Sequence, residues 1–83
     1  MTYQVYVLKS LKSGVRYVGF TTQSLNDKVQ EHNQGATRWT RANKPFELIY
    51  SEEFADKTRA LKRENFLKTG NGRRVLDNLL NKN

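Results

Sequence analysis

Two tyrosines, Tyr6 and Tyr17, stand inside the short segments "YQVYVLK" and "VRYVGFT". A histidine, His32, and a glutamate, Glu64, follow on helical stretches. Phenols, an imidazole and a carboxylate together could move protons and hold a cation. In "LNDKVQEHN", His32 is seven residues from Leu25 and three from Val29, so it shares their inward face. In "KTRALKRENFLK", Ala60, Leu61 and Leu67 form an apolar stripe, and Glu64 falls in its middle. A carboxylate turned from water is costly unless it is paired, hydrogen-bonded or metal-bound. Arg16 or Lys28 could pair with it, or a metal could, and the sequence leaves these open. Taken singly, each residue also has a structural reading: a hydrogen-bonded core histidine, or strand tyrosines that pack. Gly19, two residues beyond Tyr17, weakens a strand and packs nothing. Its place beside two tyrosines suggests that it makes room for something to approach.

The charge suggests what approaches. Fifteen Lys and Arg against eight Asp and Glu give +7 over 83 residues. Such a surface attracts polyanions, and nucleic acid is the expected partner. The basic residues are spread along the chain, so a binding face must be assembled by folding. Cysteine is absent, which excludes disulfides and thiolate metal sites. No apolar run approaches the roughly 18 residues that cross a bilayer. The start "MTYQVYVLKS" lacks the layout of a signal peptide. A single domain over residues 1–83, without membrane contact and cytoplasmic, is the expectation.

The elements that would position these residues follow from pattern. Residues 3–9 and "VRYVGFT" read as strands joined by the turn "SLKSG". Ser24 is expected to cap a helix from Leu25 to about Asn33, with Gly35 beyond its end. "ATRWTRANKP" has no apolar period and reads as a basic loop. Pro45 precedes a third strand, "FELIYSEEF". Asp56 can cap a second helix that stops at Thr69-Gly70, and "RRVLDNLLNKN" after "GNG" gives a short third one. The order β-β-α-β-α-α predicts an α+β fold, a three-stranded antiparallel sheet flanked by helices.

With "VYV" at 5–7, "YVG" at 17–19 and "EHN" at 31–33, the chain resembles the GIY-YIG nuclease superfamily. "ALKRENFLK" followed by "GNGRRVL" is similar to the second half of its small stand-alone bacterial members, relatives of the excision-repair incision domain. The resemblance runs from Tyr3 to about Leu80. It implies the fold just read and hydrolysis of a DNA phosphodiester with one divalent metal, Mg²⁺ or Mn²⁺. It implies that Tyr6 is the general base or activates the attacking water, and that Tyr17 supports that water and the phosphate. It implies that Gly19 takes the place of the second-motif glycine, whose missing side chain is expected to let a phosphate or metal approach closely. It implies too that His32 contacts the nucleophile or its tyrosine, and that Glu64 holds the metal. Asn78 is the best candidate for the asparagine that completes the site, although its spacing is loose. One metal on one carboxylate is consistent with the acids present, because the other seven are scattered.

The pattern breaks in the first helix. The family has an arginine that grips the scissile phosphate, and here Lys28 stands four residues before His32. Lysine brings charge without the planar two-pronged contact of guanidinium. The connection from Gly19 is one residue longer than expected, and Asp27 occupies a place where a second basic residue is common. Two readings stay open: an endonuclease, structure-directed or weakly sequence-specific, or a catalytically weak or inactive nucleic-acid-binding module on the same fold. Arg16 is expected nearby as a helper at the phosphate. Arg38, Arg41 and Lys44, with Trp39 among them, would track the backbone and stack a base, or form a solvated run with Trp39 folded inward. DNA is the expected substrate, branched or damaged DNA among the candidates; the sequence leaves the preferred structure open, and a homodimer or partner protein could choose the site. Tyr6, Tyr17, Lys28, His32 and Glu64 should converge on a shared hollow that solvent reaches.

Overall fold

Ser10 closes the first hairpin: its hydroxyl accepts the N–H groups of Lys12 at 3.2 Å and Ser13 at 3.0 Å. In the computed structural model, which describes residues 2–81, this turn joins β1 (Tyr3–Ser10) to β2 (Arg16–Thr21). The two pair antiparallel, and β3 (Phe46–Phe54) adds antiparallel to the other side of β1, giving the sheet order β2-β1-β3. Both outer strands are therefore edges. The register of β3 slips between Val7 and Leu8, a β-bulge.

Alternation along β1 builds two cores. Tyr6 and Leu8 face one way, where Phe46, Tyr17 and the α1 residues Leu25 and Val29 meet them (α1, Leu25–Asn33). Val5 and Val7 face the other way, against Ala60 and Leu67 of α3 (Lys57–Leu67) and Leu76 of α4 (Gly70–Leu80). Helices thus cover both sheet faces, and the predicted α+β architecture holds.

Two local readings are corrected. "ATRWTRANKP" is not a loop: it contains a short helix, α2 (Arg38–Asn43), between α1 and β3. Thr37 and Thr40 cap it reciprocally, the Thr37 hydroxyl accepting the Thr40 N–H at 3.1 Å and the Thr40 hydroxyl accepting the Thr37 N–H at 2.9 Å. The last helix starts earlier than "RRVLDN". The Thr69 hydroxyl accepts the Gly72 N–H at 3.0 Å, which makes "GNG" its first turn. Glycine is required at position 72, because an added Cβ would meet the Phe66 carbonyl oxygen at 1.9 Å where α4 crosses the end of α3. The end expected at Asn83 lies outside the described residues.

Ser24 occupies the N-cap of α1, but its side chain makes no capping bond. Asp56 caps α3 as expected, accepting the Thr58 N–H at 3.3 Å. Among the described residues no helix is long and apolar enough to cross a membrane.

Candidate active site

Gly19 sits directly opposite Tyr6 in the β1–β2 register. A Cβ on Gly19 would lie 2.4 Å from both Cζ and Oη of Tyr6. The glycine therefore makes room for the phenol of its cross-strand partner, which lies across it and leaves Tyr6 only 2% exposed. This corrects the expectation that the gap admits phosphate or metal: the space is already filled by Tyr6.

The phenol ends on His32. Tyr6 Oη lies 3.2 Å from His32 Nε2, and the Tyr17 ring stands 5.1 Å from the imidazole and 6.3 Å from the Tyr6 ring, centroid to centroid. Three of the expected residues are thus in one aromatic group on the sheet face that α1 covers. His32 Nδ1 is buried without a hydrogen-bond partner. Burial, followed by the charge of Lys28, lowers the His32 pKa below 6.5, with Glu31 partly opposing. His32 is accordingly neutral at pH 7. Tyr6 is shifted the other way: burial first, then the charges of Tyr17, Glu31 and Glu64, raise its pKa well above the ordinary phenol value. A phenolate at Tyr6 is disfavoured, so this side chain cannot be a free general base at neutral pH.

Asn33 holds the histidine's helix in place. Its carboxamide oxygen accepts the Phe46 N–H at 2.6 Å and its nitrogen donates to the Phe46 carbonyl at 3.4 Å. This two-way contact fixes the last turn of α1 against the start of β3, and the Phe46 ring meets His32 edge-on at 5.9 Å. Sequence reading passed over Asn33, although it adjoins His32 in "EHN". Trp39 lies over Phe46 at 5.4 Å and against Tyr17 at 5.5 Å, with 38% of its surface open. It is folded onto the aromatic group, yet part of it still faces solvent.

The charged candidates divide. Lys28 pairs with Glu31 at 3.4 Å on the exposed side of α1. Glu64 is 15% exposed in its side chain and pairs with neither Arg16 nor Lys28 but with Lys68, one turn along α3, at 3.2 Å. Arg16 is bound to Asp77 of α4 at 2.7 Å. Arg38, Arg41 and Lys44 are exposed on and just after α2, and among the described residues none has an ion-pair partner. Asn78 is not brought to the site. It is exposed on α4, about 200° round the helix from the buried Leu76 at 3.6 residues per turn.

The expectation of one shared hollow also needs correction. Of the five converging residues only Tyr17 lines the open cleft beside β2. Tyr6 and His32 meet in a partly buried contact, and Glu64 bears on Tyr6 through its charge while it pairs with Lys68.

A comparison with known families matches residues 2–77 to the GIY-YIG catalytic domain. The chain belongs to the GIY-YIG family. UPF0213 proteins of Staphylococcus aureus strains Mu3 and Mu50 are each 36% identical to it over 66 residues, covering 78% of both chains. The solution NMR structure of a UPF0213 protein from Bacillus halodurans is similar with a TM-score of 0.58 and 28% identity, covering 95% of this chain and 85% of that one. A nuclease family is thereby shown, whose members act on DNA.

Which metal the GIY-YIG site could hold follows from its donors. No three His, Cys, Asp or Glu side chains cluster among the described residues. Glu52, the other partly buried acid near α3, is held by Arg63 through two bonds at 2.8 and 3.0 Å and by the Tyr50 hydroxyl. Burial would raise its pKa, but these bonds together hold it below the usual value, so Glu52 is a structural tie between β3 and α3. Glu64 remains. A lone, partly accessible carboxylate fits Mg²⁺ or Mn²⁺ bound chiefly by water and substrate phosphate, and does not fit a closed or two-metal centre.

Proposed function

We propose that this protein is a metal-dependent endonuclease that hydrolyses phosphodiester bonds in DNA, structure-directed or weakly sequence-specific. The observation that carries the reading is the partly buried contact of Tyr6 Oη with His32 Nε2 at 3.2 Å, beside Tyr17. Phosphodiester hydrolysis needs an activated nucleophile and neutralisation of developing charge. With its pKa raised, Tyr6 meets the first need only as part of a relay. Attacking water gives a proton to Tyr6 Oη while the Tyr6 hydroxyl proton passes to the neutral His32 at Nε2, so no free phenolate has to form. The water oxygen forms the new P–O bond as the bond to the leaving oxygen breaks, and that oxygen departs with the bonding pair and takes a proton from solvent. Tyr17 orients the water, and Lys28 offsets charge on the phosphate oxygens once it leaves Glu31. Glu64 would hold the divalent cation, which when bound supplies Lewis-acid stabilisation of the phosphate.

A catalytically weak or inactive DNA-binding module is the second reading. The pairing of Lys28 with Glu31 and of Lys68 with Glu64 favours it, since both charges the reaction needs are engaged. Each pair has a well-exposed partner, however, and such pairs contribute only about 0–1 kcal/mol. Substrate and cation can displace them. Labelled duplex, nicked, flapped and branched DNA, incubated with Mg²⁺ or Mn²⁺ and then with chelator, test the proposal. Cleavage that chelator stops, and that Glu64→Gln abolishes while DNA binding persists, supports the nuclease. Binding with no cleavage of any substrate by the parent protein leaves the module.

A further inference from the structure

A cleft of about 210 Å³ opens between β2 and the junction of α3 with α4. Its walls include Tyr17, Leu67 and Leu76, and its rim carries three cations, Arg16, Lys68 and Arg73. A second hollow continues it past Arg16 and Arg73 toward Val15. The relay described above uses neither Lys68 nor Arg73.

The three cations are not equivalent. Arg16 is neutralised by Asp77 at 2.7 Å, and Lys68 is shared with Glu64 at 3.2 Å. Arg73 is exposed and has no ion-pair partner among the described residues. An unpaired guanidinium at the mouth of a small cleft, with an ammonium beside it, is built for an anion with tetrahedral oxygens. The volume is below that of pockets that enclose drug-sized ligands, and suits one phosphate with part of its sugar.

The surroundings make that phosphate part of a chain. Tyr17 lines this cleft and also contacts Trp39 at 5.5 Å on α2, the helix that presents Arg38 and Arg41. The basic residues of α2 and those of the cleft thus flank one tyrosine from two sides. The opposite sheet edge offers such a ligand little: β3 holds Glu47, Glu52 and Glu53 and no Lys or Arg, and of these acids Arg63 neutralises Glu52. We infer that the cleft bounded by Arg73, Lys68 and Tyr17 binds a backbone phosphate of nucleic acid other than the one at Tyr6 and Lys28, so that the strand crosses the β2 edge from α2 to the start of α4. This deepens the nuclease reading and rests on it for the identity of the polymer. It also gives Lys68 a consequence: a phosphate in the cleft draws its ammonium from Glu64 and leaves that carboxylate open to a cation.

The test compares Arg73→Ala with Arg74→Ala, a neighbouring exposed arginine that does not line the cleft. Binding of a labelled duplex is measured by fluorescence anisotropy across a salt series, alongside amide chemical shifts of Val18, Leu67 and Leu76. Loss of one phosphate contact flattens the log–log salt slope by about 0.9. That flattening is expected for Arg73→Ala and not for Arg74→Ala, and duplex should move the cleft amides more than inorganic phosphate does at matched ionic strength. Equal slopes in the two variants overturn the inference even if the parent protein cleaves DNA. Equal amide shifts with inorganic phosphate overturn it too, by making the cleft a free-anion site. An Arg73-specific slope change in a protein that cuts no DNA supports the cleft while refuting the nuclease.

Discussion

Replacing Gly19 with alanine puts a methyl group into space the structure has given to Tyr6. The added Cβ would stand 2.4 Å from Tyr6 Cζ and Oη and 2.9 Å from Cε1, against about 3.5 Å for an ordinary carbon contact. The phenol must therefore retreat by about 1 Å. It has nowhere easy to go, since Tyr6 is 2% exposed and packs with Leu8, Phe46 and Val29. Forced overpacking of this kind costs roughly 1–3 kcal/mol. In a domain of this size each kcal/mol lowers the melting temperature by about 4–8 °C, so a fall of roughly 5–20 °C is expected. The retreat also displaces Oη from the position in which it meets His32 Nε2 at 3.2 Å. Misplacement by about 1 Å can cost on the order of 100-fold in rate, and cleavage should fall by that order at temperatures where the variant is folded. Thermal melting by circular dichroism and single-turnover cleavage measure the two effects. A double-mutant cycle isolates the cause: Tyr6→Leu removes the clash, so Gly19→Ala should cost markedly less in that background. Strictly additive effects, or a variant that melts and cleaves like the parent, would show that Tyr6 is not what Gly19 accommodates.

The other expectations concern protonation, charge and capping. Because the folded-state pKa of His32 is lowered, unfolded chain binds this proton first as pH falls. Its contribution is whole above about 6.5 and is lost as pH drops through the folded-state value, and His32→Gln should flatten that part of a melting-temperature profile between pH 5 and 8. Lys28→Arg restores a bidentate phosphate contact and should raise single-turnover cleavage, whereas Lys28→Ala lowers it at least 10-fold in order of magnitude. Lys68→Ala leaves Glu64 without its 3.2 Å partner, and Mn²⁺ binding by calorimetry in the absence of DNA should tighten. Thr37→Ala removes one half of the α2 cap at about 1 kcal/mol, and should change the fluorescence of Trp39, the sole tryptophan.

What could be read from the sequence was what depends on short-range period. Strand β3 was legible because Pro45 sets its start and nine residues then suit a strand. The inward turn of Glu64 followed from helical spacing to Ala60, Leu61 and Leu67, and the side chain is indeed largely covered. Its partner, Lys68, stands only four residues away, at the spacing that favours pairing along a helix. Helix α2 escaped because six residues carry too little period to declare themselves. What makes it a helix is a reciprocal threonine cap and the seating of Trp39 on Phe46 and Tyr17, and the second of these is tertiary.

Gly19 marks the boundary most clearly. That a glycine in a strand beside tyrosines has a purpose could be argued from local cost alone. Which purpose depends on the residue across the ladder, and that is set by register, where a slip of one residue would reverse the face. Pairing Tyr6 with Gly19 rather than with Val18 turns the vacancy inward, toward a phenol. The same register puts Tyr17 opposite Leu8, on the face that α1 brings to it with His32. A hairpin turn therefore decides whether two tyrosines and one histidine meet. The turn in its turn is tied down by Ser10, whose hydroxyl donates to the Asn43 carbonyl at the end of α2 at 2.6 Å. The meeting of Tyr6, Tyr17 and His32 rests on a serine with no chemistry of its own, placed between the hairpin that sets the register and the helix that carries Trp39.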